Sequence, residues 1–174
     1  MNQPDPVQDP TGYVEMVLSY LGQDDPAEVQ ARTPDLLGSL VRQGADRLRV
    51  RGAPGEWSAL ELIGHLTQSE VVASARYRWI LAEDDPVLVP YNQELWVQRL
   101  RANEDDPNEL LDLFSTLRRV NLGLWERASA ADRARTGQHQ ERGAESYELV
   151  FRLIAGHDRL HYEQALRALR DADR

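Results

Sequence analysis

Residues 145–169, ESYELVFRLIAGHDRLHYEQALRAL, decide the reading of this chain. Leu149, Val150, Leu153, Ile154, Leu160 and Leu166 recur at three- and four-residue steps, the spacing of one face of an α-helix. His157 and His161 continue that stripe: stepping back from His157 meets Leu153, Ile154 and Val150, and stepping forward meets His161 and then Gln164 or Ala165. Helix positions i and i+4 share a face with Cβ atoms ~5–6 Å apart, so two imidazoles there can grip one cation. The chain has only four histidines. A third, His65, stands on the inner side of another predicted helix, near Leu62, Ser69, Val72 and Ala73. An inward histidine must satisfy both ring nitrogens, since an unpaired buried polar group costs ~1–3 kcal/mol. If the two helices pack side by side, one metal ion satisfies a nitrogen on each of three rings.

Helical signals extend through the rest of the chain, and strand signals are nearly missing. Tyr13, Val17, Leu18, Tyr20 and Leu21 predict a short first helix stopped by Gly22. Thr33-Pro34-Asp35 reads as a helix start, with threonine as N-cap and proline in the first turn, and Gly44 as the stop. Ser58 and Glu61 form an S-x-x-E capping box ahead of an apolar run that reaches about Ala82. Pro86 and Pro90 bound a short extended piece, and Tyr91 to Leu100 is a brief helix or a loop. Pro107 opens a third long helix with a stripe of Leu110, Leu113, Phe114, Leu117, Val120, Leu124 and Trp125. ASAADRARTGQHQERG, residues 128–143, reads as a long polar loop. The pattern predicts an all-α helical bundle. Residues 1–10, polar and rich in proline, read as a flexible arm, and 11–174 as a single domain.

Composition narrows the function. No apolar run is long enough to span a membrane. With 29 acidic and 20 basic residues the net charge is −9, the wrong sign for a nucleic-acid partner. Cysteine is absent, which removes disulfides, thiolate ligands and a cysteine nucleophile and fits a cytoplasmic protein. All basic residues are arginine, a mark of a GC-rich genome that also excludes a lysine Schiff base. The zincin motif H-E-x-x-H fits poorly, because Asp158 stands where the glutamate base belongs and only thirteen residues follow His161.

The order GEWSALELIGHL, a proline-broken segment, GQHQERG and then LIAGHDRLHYEQ resembles the DinB-like superfamily over about residues 12–170. DDPVLVPYNQELW points to its YfiT-like branch of metal-dependent hydrolases and bacillithiol S-transferases. The resemblance implies an up-down-down-up four-helix bundle with short additional helices, and a metal held by His65, His157 and His161. It implies transfer of a low-molecular-weight thiol to an electrophile, in detoxification or stress, and a possible homodimer. The alternatives are a hydrolase using metal-bound hydroxide and a non-catalytic metal-binding module. The branch often has aspartate three residues after the first ligand, where this chain has Gln68.

Three neutral ligands leave a dication's charge intact and a coordination position open, as in catalytic sites. Imidazole suits zinc, nickel and iron alike, with zinc the default. His139 is either an acid or base lining the site or a substrate contact, or else a solvated residue setting its loop. Tyr91 and Asn92, in the segment shared with the branch, are expected at the pocket mouth. Arg76, eleven residues after His65 on the same face, would favour an anionic substrate if it points inward. Asp158 points about 100° away from His157 on the helix and is expected to pair with an arginine rather than the metal.

Overall fold

A computed structural model describes residues 8–172. Four long helices form a bundle: α2 (Pro26–Val41), α4 (Ala59–Ala82), α6 (Pro107–Arg127) and α8 (Tyr147–Ala172). Helix α4 packs against α6 and α8, and α2 packs against the same two from the other side. An N-terminal α1 (Pro10–Leu21) lies along α8. Short helices α3 (Ala45–Leu48), α5 (Gln93–Arg99) and α7 (Ala130–Arg133) and a 3-10 turn at Ala102–Glu104 fill the connections. Among the described residues no helix is long and apolar enough to cross a membrane.

Local chemistry sets the boundaries. Ser58 and Glu61 close the expected capping box at the start of α4. Asp9, Asp25 and Asp106 each accept backbone N–H bonds ahead of a proline that opens a helix. Gly22 ends α1 at φ 62°, a left-handed conformation that glycine adopts without penalty. Of the expected flexible arm, residues 1–7 lie outside the described residues, as do residues 173–174, and α1 already begins at Pro10.

Three readings need correction. Thr33-Pro34 does not start a helix: α2 begins eight residues earlier at Pro26, and Pro34 sits inside it. A threonine–proline pair resembles a helix start locally, but here tertiary contacts supply what the proline removes. The stripe on α6 is also shifted, since Leu113 and Val120 are 47% and 45% exposed. The face that turns inward carries Phe114, Arg118, Asn121 and Trp125. Finally, the long polar loop is ordered. Ser129 and Asp132 cap α7 reciprocally, and β2 (Thr136–His139) and β3 (Gly143–Ser146) form an antiparallel hairpin. The extended piece β1 (Val87–Leu88) joins β2 in parallel, with Leu88 opposite His139. The strands, of two and four residues, are too short to show a period of two in the sequence.

The interior is layered along the bundle. One apolar half contains Leu37, Leu48, Leu60, Ile63, Leu66 and Phe114. The other is aromatic, with Tyr77, Tyr147, Phe151 and Trp125, the last two rings stacked at 4.0 Å. Between them lies a belt of polar side chains, all buried: His65, Glu70, Arg118, His157, Asp158 and His161. Groups of this kind are costly to bury without partners. Their arrangement locates the site.

Candidate metal centre and its pocket

Helix α4 presents His65 and α8 presents His157 and His161 to the same point. The three rings are 0%, 8% and 6% exposed, and one nitrogen from each lies within 4.8 Å of the others. His65 Nε2 and His157 Nε2 are 3.0 Å apart. Two nitrogens bound tetrahedrally to one zinc at ~2.0–2.1 Å would be about 3.3 Å apart. His65 and His157 each leave Nδ1, and His161 leaves Nε2, buried without a hydrogen-bond partner. His161 Nδ1 is 2.6 Å from Gln164 Oε1, so it carries the proton and Nε2 keeps its lone pair.

Burial pushes all three imidazoles well below the ordinary histidine pKa, and their neighbours depress them further: His161 acts on His65, His65 and then Arg118 on His157, and His157 on His161. They are neutral at physiological pH, the state a metal requires. Tight packing holds them. Trp57 lies 5.1 Å from the His65 ring. Each helix carries a glycine just before its first histidine of the triad. A Cβ on Gly64 would stand 3.1 Å from that of Ala102, and one on Gly156 only 2.1 Å from the Val17 carbonyl oxygen. Bare backbone at Gly156 lets α1 seat against α8.

Asp158 turns away from the histidines, as expected. It accepts from both Arg118 terminal nitrogens and from Thr33 Oγ1 at 2.8 Å. Arg118 also donates to Glu70 at 2.8 Å, and Asn121 Nδ2 donates to the other Glu70 oxygen at 2.8 Å. Burial alone would lower Arg118, but the carboxylates of Asp158 and Glu70 outweigh it and raise its pKa. Burial pushes Asp158 up despite the arginine. Sequence reasoning missed Glu70, Arg118, Asn121 and Thr33. The signal was present in the four-three-four spacing of Phe114, Arg118, Asn121 and Trp125, masked by the leucines alongside.

A cavity of about 550 Å³ opens beside the triad, with His157 in its wall. Val72, Val150, Leu153 and Ile154 give it an apolar side, and Arg76, Tyr91, Asn92 and His139 a polar one. All four proposed pocket residues therefore reach the same space. Tyr91 Oη is 2.6 Å from Ser69 Oγ, one helical turn beyond His65, and burial raises its pKa. Asn92 caps α5 through Leu95 N and stands exposed at the cavity edge. His139 is 2% exposed on the inward side of β2. Burial, followed by Arg142, lowers its pKa to about 4. The reading of a solvated loop residue is thereby excluded. Gln68 leaves Oε1 buried without a partner.

Comparison with known proteins places this geometry. A protein of Oceanobacillus iheyensis named "Putative metal-dependent hydrolase" is 30% identical over 127 residues, which cover 72% of this chain and 73% of that one. A Geobacillus thermodenitrificans protein of the same name is 26% identical over 59% of each chain. The solved structure of YfiT from Bacillus subtilis, described as having an unusual four-helix bundle topology, superposes with a TM-score of 0.78. That superposition covers 84% of this chain and 85% of YfiT at 21% identity, and it establishes the shared fold. Residues 27–165 match the sequence profile of the DinB superfamily, from α2 through both histidines of α8, and the chain belongs to that superfamily.

Proposed function

We propose that this protein is a metal-dependent enzyme that transfers a low-molecular-weight thiol to an electrophile. One observation carries the reading: three buried, neutral histidines bring one ring nitrogen each to within 4.8 Å of the others, beside a cavity large enough for a small molecule. A divalent cation bound there, zinc by default and nickel or iron by the same ligand chemistry, would supply Lewis acidity to a thiol or to water. The chain's own part is to keep the imidazoles uncharged, exclude water with the apolar wall and orient the reactants. Tyr91, neutral and hydrogen-bonded to Ser69, is placed to give a proton to a leaving group or orient a nucleophile.

Hydrolysis is the second reading, favoured by the names of the relatives. Against it, Asp158 is committed to Arg118 and Thr33, so the nearest carboxylate on α8 is not free to act as a base for water. The open cavity weighs against a purely occluded metal-binding module. A cytoplasmic setting, a role under chemical stress and pairing of two copies extend the proposal by family resemblance.

Elemental analysis of untagged wild type and His157→Ala, purified without chelator, tests the metal centre. About one equivalent of metal in the wild type, lost in the variant, is expected. Turnover of a thiol with chlorodinitrobenzene that disappears with the metal would support transfer. Hydrolytic turnover without thiol dependence would overturn it in favour of the second reading.

A further inference from the structure

Among the described residues two arginines are buried at 9% exposure or less, and they are treated differently. Arg118, 1% exposed, is clasped by two carboxylates. Arg76, 9% exposed, forms no ion pair with any described residue. Its Nη2 donates to the Val89 carbonyl oxygen at 2.8 Å and lies 3.2 Å from His139 Nε2, while Nε is buried with no partner. A buried cation is normally matched by an anion, because desolvation otherwise costs several kcal/mol. The available carboxylate, Glu145, is engaged by Arg142 through two hydrogen bonds at 2.6 and 3.1 Å. Glu94 and Glu141 also line the cavity but are exposed and form no ion pair with Arg76.

Arg76 is held in position. The β1–β2 pairing that sets Leu88 opposite His139 brings the Val89 carbonyl and the His139 ring to the same guanidinium. Both are neutral groups, so they flank the side chain without cancelling its charge. The cavity that exposes it runs past Val72, Val150 and Ile154 to His157.

We infer that Arg76 is a substrate-binding residue for an amphiphilic carboxylate, its head on the guanidinium and its apolar body along Val72, Val150 and Ile154. A carboxylate has the single charge that one uncompensated arginine matches, and Glu94 and Glu141 at the cavity wall disfavour a dianion. The inference deepens the proposed function, resting on it only for the claim that this cavity receives the substrate. It assigns His139 a positioning role, holding the arginine from the loop side.

Benzoate serves as the probe, with benzamide as its neutral counterpart and phenylphosphonate as the doubly charged one. Binding is measured by calorimetry on wild type, Arg76→Met, Arg76→Lys and His161→Ala, with metal content determined on the same samples. Wild type is expected to prefer benzoate over benzamide at least tenfold. Arg76→Met should lose that preference, Arg76→Lys should keep part of it, and His161→Ala should keep it while losing metal. Equal binding of benzoate and benzamide by wild type, or no saturable binding of benzoate, would overturn the inference. So would tighter, Arg76-dependent binding of phenylphosphonate, which would make the ligand a phosphoryl compound. If the preference persists in Arg76→Met and vanishes in His161→Ala, the carboxylate sits on the metal: the inference fails and the metal centre stands. Should Arg76→Met misfold, the wild-type selectivity and Arg76→Lys still decide.

Discussion

Arg118 donates through Nη1 to the carbonyl oxygen of Gln30 at 3.1 Å, the α2 carbonyl that Pro34, four residues on, cannot reach with an amide. An arginine from α6 thus repairs the hydrogen bond that an interior proline deletes. This explains how Pro34 lies inside a continuous helix.

The same arginine should be the most sensitive position in the polar belt. Arg118→Met strands Asp158, Glu70 and the Gln30 carbonyl together, and removal of one partner from a buried ion pair costs about 3–5 kcal/mol. Urea unfolding should show a loss of that order. Pro34→Ala should stabilise the protein by less than the ~3 kcal/mol typical of a helix interior, because the carbonyl is already satisfied. In the Arg118→Met background the gain should grow, a coupling that a double-mutant cycle would measure.

Gln164 should control metal affinity without touching the metal. It fixes the His161 tautomer through a 2.6 Å hydrogen bond. Partners of this kind typically contribute 10–100-fold to affinity. Gln164→Ala should weaken metal binding by about that factor in a competition titration with a chromophoric chelator, with the helical circular dichroism unchanged.

Acid should destabilise the metal-free protein in a defined window. Burial lowers the folded-state pKa of His65, His157 and His161 well below 6.5. The unfolded chain, titrating near ~6.5, then binds more protons as pH falls, so stability drops with falling pH. Chelator-treated protein should show constant stability above about pH 7 and a decline below about pH 6.5, with each histidine contributing up to ~1.4 kcal/mol per pH unit. A urea midpoint that stays flat from pH 7.5 to 5 would contradict this.

Gly156→Ala should detach α1. Its Cβ would meet the Val17 carbonyl oxygen at 2.1 Å, and backbone cannot rotate away as a side chain can. A cost of about 1–3 kcal/mol is expected for overpacking of this kind. Faster amide exchange and proteolytic cleavage confined to residues 10–21 would reveal it.

The bundle was legible because α4 and α8 carry long apolar stripes, and their histidines lie on those stripes. The grouping of the three histidines followed from the one-turn spacing of His157 and His161 together with the family resemblance of the segment around His65. Pro34 was misread because the donor that rescues its helix is Arg118, 84 positions away in the chain. The hairpin was missed for a related reason. Its strands draw order from β1, about fifty residues earlier, and Gly137 is there because a Cβ would stand 3.0 Å from the Leu88 side chain. Neither long-range pairing leaves a local pattern. His139 looked solvated in a sequence of glycines, glutamines and charges, and is buried only because that hairpin folds over α4.

The pairing of β1 with β2 has a further consequence. The histidines belong to two long helices whose interiors are closely packed, whereas Val89, Tyr91, Asn92 and His139 belong to two connections between helices, joined by a few backbone hydrogen bonds. Substitutions in the connections can redraw the cavity without disturbing the triad of His65, His157 and His161. Within the superfamily, reactivity would then be inherited with the helices, while substrate preference diverges through the short strands that bridge them.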